Sequence, residues 1–343
     1  MIDFRYHIVS LISVFLALAV GIILGAGPLK GPIGDQLTGQ VEQLRDERNQ
    51  LRDELDTANG QLDDANAYVV AAGPALVDGS LEGRTVAVVG LGDLDDERYA
   101  PIAKQLDAAG ATVSARVDTT ETWVSQDDES FRKVVADGIA DTLGSGADDS
   151  SATALSQALV IALTGADELD PTQRSADASS LQDVLVRGDL VSVVDEPTAP
   201  ADVVLFVAPP APAPEPEADA DAAPTETDAP AETDDYPIDI ELELPVAAAA
   251  AADSVVVAGP TLTSGDLVSR VRDDERTATT VSTVSGVGET AGQINVPLAL
   301  AAGGAGEVGH YGFDDGATAV IPPAVEPDAG AEVPEGTPTE GEG

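Results

Sequence analysis

Twenty residues from Ile8 to Gly27 carry no charge, and a heptad pattern begins ten residues later at Leu37. No other feature restricts this chain so strongly. At about 1.5 Å rise per residue, an uncharged helix of that length is about 30 Å long, the thickness of a bilayer's hydrocarbon core. The order predicts a short leading segment (1–7), a transmembrane anchor in the lipid bilayer (8–27) and a coiled coil (35–72). A secretory signal is the competing reading. Signals carry an apolar region of about 7–15 residues behind a basic start, whereas this run is longer and MIDFRYH holds only Arg5 as a firm positive charge. Gly25, Ala26 and Gly27 mimic a cleavage site, but Pro28 follows at once, and a chain without cysteine has no lipoprotein anchor. An uncleaved anchor is expected. Arg5 on one side and Lys30 on the other leave its orientation undecided by charge.

The heptads run with Val41, Arg48, Leu55, Leu62 and Val69 at a, and Leu37, Leu44, Leu51, Ala58 and Ala65 at d. Nine of these ten positions are apolar, a stripe with the 3.5-residue period of a coiled coil. A helix packed on its own globular domain shows a wider apolar face. Arg48 at an a position weakens the seam and helps fix register, while Gly39 and Gly60 cost helix stability. Either a homodimer or a hetero-pair satisfies the pattern; homodimers are the commoner outcome.

The length of 343 residues suggests about two domains. With 62 acids against 16 Lys and Arg, the net charge of −46 excludes nucleic acid and anionic lipid surfaces as expected partners. Lys30, Lys104 and Lys133 are the only lysines. Such a composition fits a salt-adapted or high-GC source. A cysteine-free chain has no disulfide framework and no thiolate chemistry, which suits export.

Gly73-Pro74 is read as the end of the helical pattern. Beyond it, Thr85–Gly90, Ala111–Val117, Val191–Val194, Val203–Val207, Ser254–Ala258 and Thr279–Val284 look like strands, and Ala317–Ile321 is a candidate for the last. Helices are expected over Tyr99–Ala109, Phe131–Leu143, Ala152–Leu163, near Asp266–Asp274 and over Ala291–Ala302. Apolar strands alternating with helices predict an α/β fold with a mostly parallel, doubly wound sheet, covering 80–208 and 238–321 as one domain or two docked lobes. The intervening 209–237 holds eight prolines, nine acids and no basic residue. Together with the acidic tail 322–343, it is expected to be a disordered spacer.

Motifs for chemistry are sparse. Gly90-Leu91-Gly92 follows a strand, but the third glycine of a dinucleotide fingerprint is replaced by Asp95, among Asp93, Asp96 and Glu97, where carboxylates repel phosphate. Gly286-Val287-Gly288 lacks the lysine of a P-loop. Soft copper(I) sites need Cys or Met, and Met1 is the single methionine. Of the two histidines, His7 adjoins the anchor and His310 reads as a turn or surface residue. A Ser–His–Asp site would need His310, without any G-x-S-x-G elbow. Asp314-Asp315 lacks EF-hand spacing. No catalytic, cofactor or metal residue is expected, and no enzyme.

The opening MIDFRYHIVSLISVFLALAVGIILGAGPLKG, the heptads, and the late segment AGQINVPLALAAGG…GHYGFDDGATAVIPP resemble the actinobacterial MctB/SteB family, labelled "copper transporter" or mycobacterial copper-transport protein B. The resemblance spans most of residues 1–323. It implies a single-pass protein of the cell membrane with a short cytosolic start (1–7) and an extracytoplasmic coiled coil and α/β domain. One branch of that family works beside an SteA-like inner-membrane partner and the cell-wall hydrolase machinery in envelope assembly and cell separation. Another is associated with copper efflux and proposed as an outer-membrane channel. Against direct copper handling stands the lack of soft ligands. Against a pore stand the single spanning run and the shortness of Ala247–Ala252 and Leu298–Ala302. The expected function is a dimeric, membrane-anchored envelope protein presenting an α/β domain to partners; the alternative is copper transport or homeostasis.

Overall fold

A computed structural model describes residues 4–26, 30–144, 150–210, 236–260 and 266–325, with side chains along the second helix from Gly39 onward. The chain divides into two compact units, Met1–Ala67 and Tyr68–Gly343. The tail from 326, residues 211–235 of the acidic insertion, and the side chain of Leu37 lie outside the described residues.

In the first unit, α1 (Phe4–Ala26) contains the candidate span Arg5–Gly25, exposed along its whole length. Among the described residues it is the one helix long and apolar enough to cross a membrane. α2 (Lys30–Val77) is a single 48-residue helix that continues into the second unit. The expected stop at Gly73-Pro74 is therefore corrected. Pro74 forfeits one hydrogen bond, to the carbonyl of Val70, a residue exposed enough for water to replace it. Gly73 is needed for packing instead: a Cβ there would stand 2.7 Å from Ile294 Cδ1.

The second unit is built on seven strands: β1 (Thr85–Gly90), β2 (Thr112–Thr119), β3 (Val191–Asp195), β4 (Val203–Val207), β5 (Ser254–Ala258), β6 (Ser282–Val284) and β7 (His310–Tyr311). They form one sheet in the order β3-β2-β1-β4-β5-β6-β7, parallel throughout except that β3 runs antiparallel to β2. Strands from before and after the insertion pair directly, Val203 with Ser254 through Val207 with Ala258. β1, β4 and β5 are almost wholly buried, which is why they read as unbroken apolar runs.

The end of α2, α3 (Asp96–Ala108) and α10 (Thr290–Gly304) cover one face around Val88, Leu205, Val256, Ile102 and Leu300. The other face carries α4 (Glu121–Val124), α5 (Glu129–Leu143), α6 (Ser151–Thr164), α7 (Ala176–Arg187), α8 (Tyr236–Ala249) and α9 (Leu267–Asp273). There α6 is flanked by α5, α7 and α8, and its apolar side chains on several sides are buried. Burying each Val or Leu of these two layers contributes about 1.5–3 kcal/mol.

Three expectations are revised. The last strand is His310–Tyr311 rather than Ala317–Ile321, of which Ala319 makes only an isolated bridge to Tyr311. His310 is accordingly a buried strand residue, not a turn or surface one. Tyr236 and Pro237, assigned to the spacer, open α8. Tyr236 is fixed there by the buried Arg132, which donates to its hydroxyl at 2.7 Å.

Candidate functional site

The sheet order reverses between β1 and β4, and in open α/β sheets ligands collect at the carboxyl end of such a switch point. Here Gly92, with φ +83°, turns the chain, its N–H donating to Thr119 Oγ1 at 2.8 Å. Asp95 then caps α3: its carboxylate accepts the backbone N–H and the Nε of Arg98, each at 2.9 Å. These contacts hold the Asp95 carboxyl below the usual carboxylate range. The helix end that binds a pyrophosphate in dinucleotide folds is thus filled by the chain's own anion.

Beside it lies a cavity of about 480 Å³ lined by Gly92, Asp93, Asp118, Thr119, Thr120, Glu121, Val124, Ser192 and Glu241. Four of these are carboxylates. Asp118, 6% exposed, has its pKa raised by burial, offset in part by the N–H of Leu94 and by Arg116. A side chain at position 90 would collide with Asp118 Oδ1, so Gly90 is the residue that lets this acid sit beneath the turn. Burial alone pushes Glu241, on α8, up to about 7. Such walls favour a cationic group and repel phosphate. Among the described residues no three His, Asp or Glu converge to hold a metal ion.

A second cluster joins α9 to the far strands. Arg272 pairs with Asp314, their side chains 5% and 15% exposed. Ser285 donates to the same carboxylate, and Arg272 Nε donates to Thr283 Oγ1 at 2.8 Å. Thr283 Oγ1 in turn lies 3.0 Å from His310 Nδ1. His310 thus meets a threonine, not Ser285; the group ties down a two-residue strand and lacks the Ser–His contact of a nucleophile.

The positions expected to form a coiled coil divide between the units. Val41, Leu44, Leu51, Leu55 and Leu62 are 45–68% exposed along α2, with Arg48, Ala58 and Ala65 also at the surface. Val69 differs: it is partly buried against the core cluster of Val77, Ile102 and Ile294 within the second unit. Glu241 and Asp118 are not singled out by the sequence. In a chain with 62 acids, no local pattern marks Asp118 as buried or Glu241 as half-buried.

The chain is an α/β protein with an N-terminal helix long and apolar enough to cross a membrane, and with a dinucleotide-type sheet whose phosphate position is closed by carboxylate. A family model described as "Copper transport outer membrane protein, MctB" matches residues 1–322, and the chain belongs to that family. Among curated proteins it is similar to "Copper transporter MctB" of Mycobacterium tuberculosis (strain ATCC 25618 / H37Rv), 29% identical over 140 residues. That stretch is 40% of this chain and 45% of the relative. The protein of the same name from Mycobacterium leprae (strain TN) is 42% identical over 140 residues, 40% of this chain and 44% of the relative. The aligned portion thus spans less than half the length of these curated relatives.

Proposed function

We propose that this chain is a single-pass cell-envelope protein that dimerises through α2 and presents its α/β domain, on the extracytoplasmic side, to partners in envelope assembly and cell separation. The observation that carries this reading is the row of exposed apolar side chains Val41, Leu44, Leu51, Leu55 and Leu62, on a long helix that follows an apolar span. Leucines repeated at that spacing on a polar helix are stable when they face a second helix. Reporter fusions after Gly73 test the orientation: an enzyme that works only outside the cytoplasm is expected to be active there. Crosslinking in cells tests the partners, with an SteA-like membrane protein and wall-hydrolase components expected and an unlinked chain contradicting the reading.

The second reading is copper transport or homeostasis, favoured by the family description and the relatives' names. Copper(I) prefers thiolate and thioether ligands, and after Met1 this chain has neither. On the preferred reading, any copper effect arises through envelope integrity or through a partner that carries ligands. Copper(I) competition against a chelator separates the two. Stoichiometric binding that survives the chelator and vanishes in His310→Ala would favour the copper reading; copper left with the chelator supports the envelope reading.

A further inference from the structure

β3 is an edge strand, and among the described residues no strand pairs with its outer side. Thr120 N–H donates to Leu190 O at 3.1 Å, and the register pairs Thr119 with Val191, Asp118 with Ser192 and Val117 with Val193. The Leu190 carbonyl faces β2 while its N–H donates to Leu185 O at 3.0 Å; antiparallel ladders alternate, so Ser192 faces β2 in turn while Val191 and Val193 turn their backbone groups outward. Along that outer side runs a groove of about 580 Å³, walled by Val186 and Arg187 of α7 and by β3 itself. Val186, 41% exposed, offers an apolar contact in it. Its lining carries the exposed carboxylates Asp183, Asp189 and Glu196 beside the guanidinium of Arg187, already paired with Asp183 at 3.2 Å.

We infer that β3 is a strand-addition site for an extended segment of a partner protein in which basic and apolar side chains alternate. Main-chain hydrogen bonds to Val191 and Val193 would supply affinity, an apolar side chain would cover Val186, and the basic ones would meet the carboxylate rim. The rim also argues against a second copy of this chain as the occupant. An isologous, antiparallel β3–β3 contact would set Asp189 before each strand near Asp195 and Glu196 at the end of the other, at a net charge of −46 per chain. This inference rests on the reading of the domain as a partner-binding module and specifies its surface.

The test uses the full chain in detergent and three labelled hexapeptides: Lys-Val repeated three times, the same peptide with its central Val replaced by Pro, and Glu-Val repeated three times. The Lys-Val peptide is expected to bind at least tenfold tighter than either control and to slow amide exchange at Val191 and Val193. Val193→Pro removes an outward N–H without touching the β2 ladder and is expected to abolish binding. Asp189→Lys with Glu196→Lys is expected to reverse the preference between Lys-Val and Glu-Val. Equal binding of the Lys-Val and Pro-interrupted peptides would reduce the effect to bulk charge and overturn the inference. Unchanged binding in Val193→Pro, or conversion of a dimer to a monomer by that variant, would overturn it as well. Partner crosslinking that persists in Val193→Pro would overturn the β3 site while leaving the envelope function standing; loss of all crosslinking in the parent chain would remove both.

Discussion

Asp95 accepts the backbone N–H of Arg98 at 2.9 Å and so occupies the very helix end where a switch-point fold receives phosphate. Replacing Asp95 with Ala is expected to lower the melting temperature, because an N-cap partner is lost. It is not expected to create nucleotide binding, since Asp93, Asp96 and Glu97 remain. Calorimetric titration with NAD checks the second half: measurable binding by the variant would show that the carboxylate cap was the sole barrier.

Glu241 links stability to pH. Its folded pKa, about 7, lies above the ordinary 4.5, so between those values the folded chain keeps a proton that the unfolded chain has released. Stability therefore falls as pH rises through that window. Glu241→Gln is expected to gain about 2 kcal/mol at pH 8 and nearly nothing at pH 4.5. Denaturant melts at the two pH values measure this, and an equal effect at both would contradict it.

Arg272 and Asp314 are expected to matter in the opposite direction. Burial raises the Asp314 carboxyl, but the Ser285 hydroxyl and the Arg272 guanidinium outweigh it and bring the pKa below the usual value. That contribution is full above the ordinary 3.8 and is lost as pH falls through the lower folded value. Asp314→Asn leaves a buried guanidinium without its counter-charge and is expected to cost about 3 kcal/mol at pH 7, read by chemical denaturation. A cost under about 0.5 kcal/mol would show that the pair is a surface contact.

His310 adds a second acid-sensitive element. Burial first, and then Arg272, lower its pKa from the ordinary 6.5, so the folded chain resists the proton that the unfolded chain accepts. Its contribution is full above 6.5 and declines as pH falls toward the folded value. His310→Gln is expected to flatten the stability profile below the ordinary 6.5; an unchanged slope would contradict the assignment.

How much of this is legible in the sequence depends on burial pattern. Thr85–Gly90, Val203–Val207 and Ser254–Ala258 read with the bounds the structure gives them, because strands buried on both faces have no polar positions to blur them. α7 escapes the sequence reading although its signals are present: Ser175 caps it through the N–H of Ala178, and Gly188 follows its end. α8 is hidden by the alternation of Ile238, Ile240, Leu242 and Leu244, a period of two inside a helix, and by Pro237 and Pro245. β7 is invisible because two residues between Gly309 and Gly312 carry no period at all. The acidic cavity is the least legible part, since it is assembled from α4, α8 and three strands or their turns, far apart in the chain.

The central claim is the dimer through α2, and the absence of native cysteine makes one measurement clean. Leu55→Cys places a thiol at an a position, and Asp53→Cys places one on the opposite, outward side of the helix. In membranes under mild oxidation, a parallel dimer brings the two β-carbons at position 55 near the roughly 4 Å that a disulfide requires. The account predicts a covalent dimer for Leu55→Cys that disappears when Leu51 and Leu62 are changed to Asp, and little crosslinking for Asp53→Cys. Monomer alone for Leu55→Cys, or equal crosslinking at both positions, would contradict it.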